Sequence, residues 1–161
     1  MTFLDQRNQQ VRDESSHDRL TARAGVPFMG LAARTPAAKA RYPMSLAGKM
    51  SALANDPGAM KVFMKDRTSA ANWVSIRFLD RYMNYAPAVE PEDFDACPVL
   101  LTQPAEDHWS PHHLSLPVLS RITKVPVTTF MLDNAGHYPL EEPGLQQMQD
   151  AIADFTTQHT A

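Results

Sequence analysis

Two short apolar runs, each followed by an ionisable side chain, constrain this sequence more than any other feature. Val99-Leu100-Leu101-Thr102 comes after Pro98 and leads to Asp107, and Pro126-Val127-Thr128-Thr129-Phe130-Met131-Leu132 leads to His137. The first is a nearly continuous apolar run, as in a strand buried on both faces, and the second is β-branched and aromatic. Between them Ser110-Pro111 opens a helical stretch to about Arg121, divided by Pro117. Strand, helix and strand with a crossover of that length predict two parallel strands joined right-handedly. A parallel pair cannot bury both its faces by itself, and no further strand is predicted, so something else must extend this sheet.

The preceding residues follow a different pattern. Residues 1–86 read as helical, without a convincing strand. Thr35-Pro36 and Asp56-Pro57 are helix-start signals, and Gly25, Gly30 and Gly48 punctuate the runs between them. The clearest predicted helix spans residues 69–85, capped by Ser69. Trp73, Ile76 and Met83 lie on one stripe, with Val74, Phe78 and Tyr82 beside it, an arc wide enough to need cover on more than one side. Methionine is concentrated here, at Met29, Met44, Met50, Met60, Met64 and Met83. Ordinary core filling is the simpler reading, and a pliable surface for acyl or alkyl groups the sharper one. Residues 87–97, rich in proline and acid, read as a linker. The charge changes at the same place: 13 Lys and Arg against 11 Asp and Glu in residues 1–96, then 2 against 7 in residues 97–161.

Composition excludes several classes. A formal net charge of −3, with no basic block interleaved with aromatics, gives no footprint for nucleic acid. With 43% hydrophobic and 20% charged residues the chain is globular rather than disordered. No apolar run approaches the roughly 18 residues of a membrane span, and Met1–Arg7 lacks the pattern of a secretory signal. Cys97 stands alone, so no intrachain disulfide forms, and its place before a strand reads as a small buried hydrophobe. A cytoplasmic protein is expected.

Asp107 and His137 fall just beyond the carboxyl ends of the two strands, the edge of a parallel sheet where reactive groups gather. There a carboxylate can accept the imidazole Nδ1–H, leaving Nε2 to take a proton from a hydroxyl. Taken singly, each has a plainer reading, a turn or helix cap for the aspartate and a solvated loop side chain for the histidine. Glu106 is a second candidate acid. Asp107-His108 with His112-His113 offers the residue types of a metal site, but His108 lies outside the helix start at Pro111 and the histidines form no clean i, i+4 pair, so no metal ligand is assigned.

The segment from Pro98 to Pro111 resembles the part of α/β-hydrolases that delivers the triad acid in a Gly-x-x-Asp-x-x-x-Pro pattern, with Asp107 and Pro111 in the acid and proline positions and Pro104 where the glycine is expected. Gly136-His137-Tyr138-Pro139-Leu140-Glu141-Glu142-Pro143 resembles that family's histidine loop. The distance to Pro111 favours Asp107 over Glu106 as the acid. The resemblance implies an α/β fold, with residues 1–86 as a helical cap and residues 98–161 as the last two parallel strands and helices of the hydrolase sheet. It also implies cofactor-free hydrolysis of carboxylic esters or lysolipids through an acyl-serine, with Trp109, Tyr138, Trp73 and Met83 near the substrate. The family's nucleophile sits in Gly-x-Ser-x-Gly, and none occurs in the 161 residues. Neither Ser110 nor Ser120 lies on a glycine-flanked elbow, so these residues alone are expected to be inactive. The alternative is a non-enzymatic module that completes its sheet with another chain, a second copy included.

Overall fold

A computed structural model describes residues 3–160. Its first part is helical and built from short pieces with local caps. Helix α1 (Gln9–Ser15) starts at Asn8, whose side chain accepts the N–H groups of Gln10 and Val11. A π-type turn at Thr21–Gly25 runs into α2 (Val26–Ala32). Strand β1 (Arg41–Pro43), α3 (Met44–Ala47) and α4 (Pro57–Phe63) follow, the last capped by Asp56. Strand β2 (Trp73–Ser75) then leads into α5 (Ile76–Met83).

This part differs from the expected all-helical region in holding two strands. β1 and β2 pair antiparallel, Arg41 opposite Ser75 and Pro43 opposite Trp73. Three-residue strands are too short to display alternation, which is why the sequence pattern hid them. The predicted helix over 69–85 begins only at Ile76, because Ser75 rather than Ser69 supplies the cap, accepting the Phe78 N–H at 3.1 Å. Only one face of α5 is covered: Leu79 and Met83 are buried, whereas Phe78 and Tyr82 are exposed. Met50 is buried with Leu53 and Ala70 in a cluster against which Met44, Met60, Phe63 and Trp109 pack. These methionines fill core.

After a turn at Pro91–Asp93, the chain enters β3 (Val99–Pro104). A 3-10 turn (His112–Leu114), the short helix α6 (Leu116–Leu119), strand β4 (Val127–Leu132) and the long helix α7 (Gly144–His159) complete it. β3 and β4 are parallel and in register from Val99–Val127 to Pro104–Leu132, so the structure has the expected α/β character. Pro117 does not divide a helix; it sits in the first turn of α6, where its missing N–H costs nothing. β1 and β2 form a separate sheet, so within the described residues β3 and β4 remain a pair. Leu101 and Leu132 are buried, while Phe130 and Met131 stay exposed. Cys97 also differs from expectation. It is exposed, because β3 starts two residues later and the cysteine belongs to the approach to the strand.

An ionic cluster ties the amino-terminal residues to the Pro91–Asp93 turn. Arg7 meets Asp5 at 2.9 Å and Glu90 at 2.6 Å, and Arg121 meets Glu92 at 2.6 Å. None of the described helices is long and apolar enough to cross a membrane.

Candidate active site

Strand pairing carries on into the loops that bear the two ionisable residues. The Ala105 N–H donates to the Leu132 carbonyl (2.9 Å) and the Glu106 N–H to the Ala135 carbonyl (3.0 Å), so the two loops leave the sheet side by side. Asn134 adopts φ 54°, a left-handed conformation that asparagine tolerates well, and its side-chain amide donates to the Glu142 carbonyl at 2.9 Å. Gly136 passes so close to Asn55 that a Cβ there would stand 2.9 Å from the Asn55 Cγ. The helical part pins both loops. The Tyr138 N–H donates to the Leu53 carbonyl (2.8 Å), and the Asn55 side chain donates to the Glu106 carbonyl (3.2 Å).

This scaffold brings Asp107 Oδ2 to 2.9 Å from His137 Nδ1. Glu106, the other candidate acid, is exposed and engages its neighbours through its backbone. Asp107 is 4% exposed. Its Oδ1 accepts the N–H groups of Trp109 (2.9 Å) and Ser110 (2.8 Å), and its Oδ2 also accepts the Ser110 hydroxyl at 3.0 Å. Burial pushes the Asp107 carboxyl up, but the His137 hydrogen bond and the backbone N–H donors outweigh it and hold the group below the usual carboxylate range. Asp107 is thus held in its ionised form beside the imidazole.

A stability consequence follows from that depressed value. The stabilisation from Asp107 is fully present above its unfolded value, near 3.9, and is lost as pH falls through the lower folded value. In urea unfolding the gap between wild type and Asp107→Asn is expected to be widest above about pH 4 and to close below it. A gap that widens in acid would contradict this.

The indole of Trp109 lies against the imidazole, ring centroids 4.7 Å apart, and its Nε1–H donates to the Ser15 carbonyl at 2.9 Å. Tyr138 is the edge neighbour of His137 at 5.6 Å and contacts Phe63 at 5.1 Å. His137 and Tyr138 line an open recess of about 510 Å³ with Asp107, Pro104, Pro139, Leu140 and Met148. Met83 and Trp109 share a separate apolar cavity of about 210 Å³ in the helical part, with Leu4, Gln6, Met44, Phe78, Leu79 and Tyr82 among its walls. Trp73 lines neither space; it stands half-exposed on β2. Of the four residues expected near a substrate, Trp109 and Tyr138 are therefore at the imidazole, Met83 is one cavity away, and Trp73 is apart.

The histidine cluster is dispersed. His113 pairs with Glu14 at 2.7 Å, His108 is exposed, and the His112 Nε2 is buried without a partner. Among the described residues no group of three or more His, Cys, Asp or Glu side chains is placed to hold a metal ion. Sequence reasoning missed the role of Ser110, dismissed as a nucleophile but fully buried between the aspartate and the histidine. The Asp-x-x-Ser spacing, which lets a side chain close back on the carboxylate, was the available signal.

No family model matches this sequence, and no curated protein matches it significantly. Among solved structures the chain is similar to the crystal structure of Paleococcus ferrophilus monoacylglycerol lipase, with a TM-score of 0.68 and 20% sequence identity. The similarity covers 92% of this chain but 56% of that lipase, so the chain spans little more than half the length of its structural neighbour. The fold is accordingly α/β-hydrolase-like.

Proposed function

We propose that these residues are the cap and the carboxyl-terminal part of a serine hydrolase that cleaves carboxylic esters or lysolipids. In this reading the helical residues to 86 cover the site, residues 98–161 close the sheet, and the nucleophilic serine with its oxyanion hole lies on polypeptide outside the 161 residues. The single observation that carries the reading is the 2.9 Å contact between a buried Asp107 carboxylate and His137 Nδ1 at the carboxyl end of a parallel pair. The likeness to a monoacylglycerol lipase supports the class of chemistry.

The 2.9 Å contact supports the following proton traffic. Asp107 accepts the Nδ1–H and so leaves Nε2 as the basic nitrogen. Nε2 takes the serine proton as the acyl carbon is attacked, and Asp107 stabilises the imidazolium without becoming protonated. The same nitrogen returns the proton to the departing alcohol, and water repeats the cycle on the acyl-enzyme.

A fluorophosphonate probe tests this directly. The 161-residue chain is expected to remain unlabelled, whereas a protein that also carries the coding sequence upstream of Met1 should be labelled and should hydrolyse a monoacylglycerol. Labelling of the short chain, or an inert longer one, would overturn the reading.

The free side of β3 supports a second reading, a module that pairs with another chain or a second copy. Among the described residues β3 is hydrogen-bonded to β4 alone, and an unpaired strand edge templates association. Light scattering after size exclusion should then give a mass of two chains, while a monodisperse monomer at micromolar concentration rules out self-pairing.

A further inference from the structure

Ser110 is a poor nucleophile and an unusual spectator. It is fully buried, and its own groups are engaged on every side. Its N–H donates to Asp107 Oδ1 at 2.8 Å, and its carbonyl accepts the Gln103 side-chain amide at 3.2 Å. Its hydroxyl stands 3.0 Å from Asp107 Oδ2 and 3.0 Å from His137 Nδ1, while those two atoms are 2.9 Å apart. The three polar atoms form a nearly equilateral triangle.

Two proton arrangements fit that triangle. If the hydroxyl donated to Nδ1, the imidazole would carry its hydrogen on Nε2, and a bare nitrogen would face a carboxylate oxygen, lone pair against lone pair. If instead the hydroxyl donates to Oδ2, the Nδ1–H is shared between Oδ2 and the hydroxyl oxygen, and every contact is favourable. The second arrangement also completes the carboxylate. A carboxylate offers about four acceptor sites. Asp107 then receives the Trp109 and Ser110 N–H groups on Oδ1, and the Ser110 hydroxyl and the His137 Nδ1–H on Oδ2.

We propose that Ser110 is a positioning residue for the Asp107–His137 pair, its hydroxyl completing the carboxylate's donors and confining the neutral imidazole to the Nδ1–H form with Nε2 bare. This deepens the reading of the pair as acid and base and rests on it. Without the hydroxyl, Oδ2 loses a fixed donor in a buried site, the carboxylate gains freedom to turn, and Nδ1 loses one of its two acceptors. The consequence is a less pure tautomer at the atom that must accept the serine proton.

Nitrogen-detected NMR of the histidine side chains at about pH 8, where an ordinary imidazole is neutral, tests the proposal on the chain itself, without any need for turnover. Wild type should show His137 as one tautomer, protonated on Nδ1. Ser110→Ala is expected to raise the Nε2–H form several-fold, up to about tenfold, the value of the one neutral hydrogen bond that the Nδ1–H donates to the hydroxyl oxygen and that the other tautomer lacks. Ser110→Thr, which keeps the hydroxyl, should restore the wild-type pattern. Ser110→Cys, close to serine in shape but a weak donor, should behave as the alanine variant does and serves in its place if that variant does not fold. Unchanged amide signals from β3 and β4 confirm that the sheet is intact. Wild-type tautomer in Ser110→Ala or Ser110→Cys overturns the proposal. If Asp107→Ala also keeps the wild-type tautomer, the aspartate does not orient the ring, and the reading under Proposed function falls as well. If Asp107→Ala alone scrambles it, only the role of Ser110 is lost.

Discussion

In the proposed serine hydrolase, replacing His137 with alanine is expected to lower ester hydrolysis by about 10³-fold or more. The magnitude follows from the part of general base that this proposal gives to the imidazole. With Nε2 gone, the serine hydroxyl has no base within reach and must attack near its own high pKa. What survives is substrate binding and the oxyanion hole, which together hold only a small part of the rate. The decisive measurement is kcat/KM on a short-chain ester, with the fluorophosphonate labelling rate measured alongside. Both should fall together, because both need the same activated serine. A loss of much less than tenfold in both would mean that some other group serves as base. A loss confined to KM would mean that His137 only lines the recess.

The second large effect concerns Gly144, far from any proton transfer. A Cβ at this position would stand 2.6 Å from the Asp133 carbonyl oxygen and 2.7 Å from the Ala135 Cβ, both parts of the backbone or immediately beside it. Neither neighbour can swing away as a flexible side chain could. The helix α7 begins here, pressed against the end of β4, and Gln147 on its first turns bonds the Asp133 N–H at 2.8 Å. Gly144→Ala should therefore push α7 off the strand and destabilise the chain by about 3 kcal/mol, the upper end of ordinary overpacking. Gly25→Ala is the matched control. There the added carbon meets only the Thr21 Cγ2 at 3.6 Å, an ordinary contact, and in a helical turn alanine is favoured over glycine by roughly 1 kcal/mol. Urea unfolding of the two variants should move in opposite directions from wild type. A Gly144→Ala midpoint within error of wild type would show that the start of α7 is free to shift.

The parts of this molecule legible from sequence are those specified locally and more than once. β3 and β4 each combine an apolar or β-branched run with a flanking proline, and Asp107 and His137 follow them at turn distance, so strand, register direction and site could be read together. α7 is legible as well, Pro143 opening a run in which Leu145, Met148, Ile152 and Phe155 recur at helical spacing, although that face is only half-covered: Ile152 is exposed while Leu145, Met148 and Phe155 are partly buried. What was hidden depends on partners distant in the chain. Trp73-Val74-Ser75 became a strand only because Arg41-Tyr42-Pro43 lies beside it, and that pairing overrode the helical spacing read across it. Cys97 is exposed because the burial that a strand provides begins at Val99 and does not reach two residues ahead of its start. Trp73 illustrates the limit for the site, since an aromatic residue in a helical stripe gives no indication of which cavity it will reach. Ser110 was passed over for a different reason. A serine without a glycine-flanked elbow is a poor nucleophile, but only the fold shows that its hydroxyl meets both Asp107 and His137.

The tether between Trp109 and Ser15 has a consequence for the order of folding. The residues it joins are 94 positions apart, the Asn55 contact to Glu106 spans 51, and the Asp107–His137 contact spans 30. Loop closure must be completed before such contacts repay it, so the most distant form late. The β3–β4 pair can assemble early from its own crossover, but the imidazole acquires its final surroundings only when residues near the start of the chain arrive. The Asp107–His137 pair is thus expected to gain its final surroundings last on folding and to lose them first on local opening. Exchange of the Trp109 indole hydrogen should report the loss of the site well before the sheet comes apart.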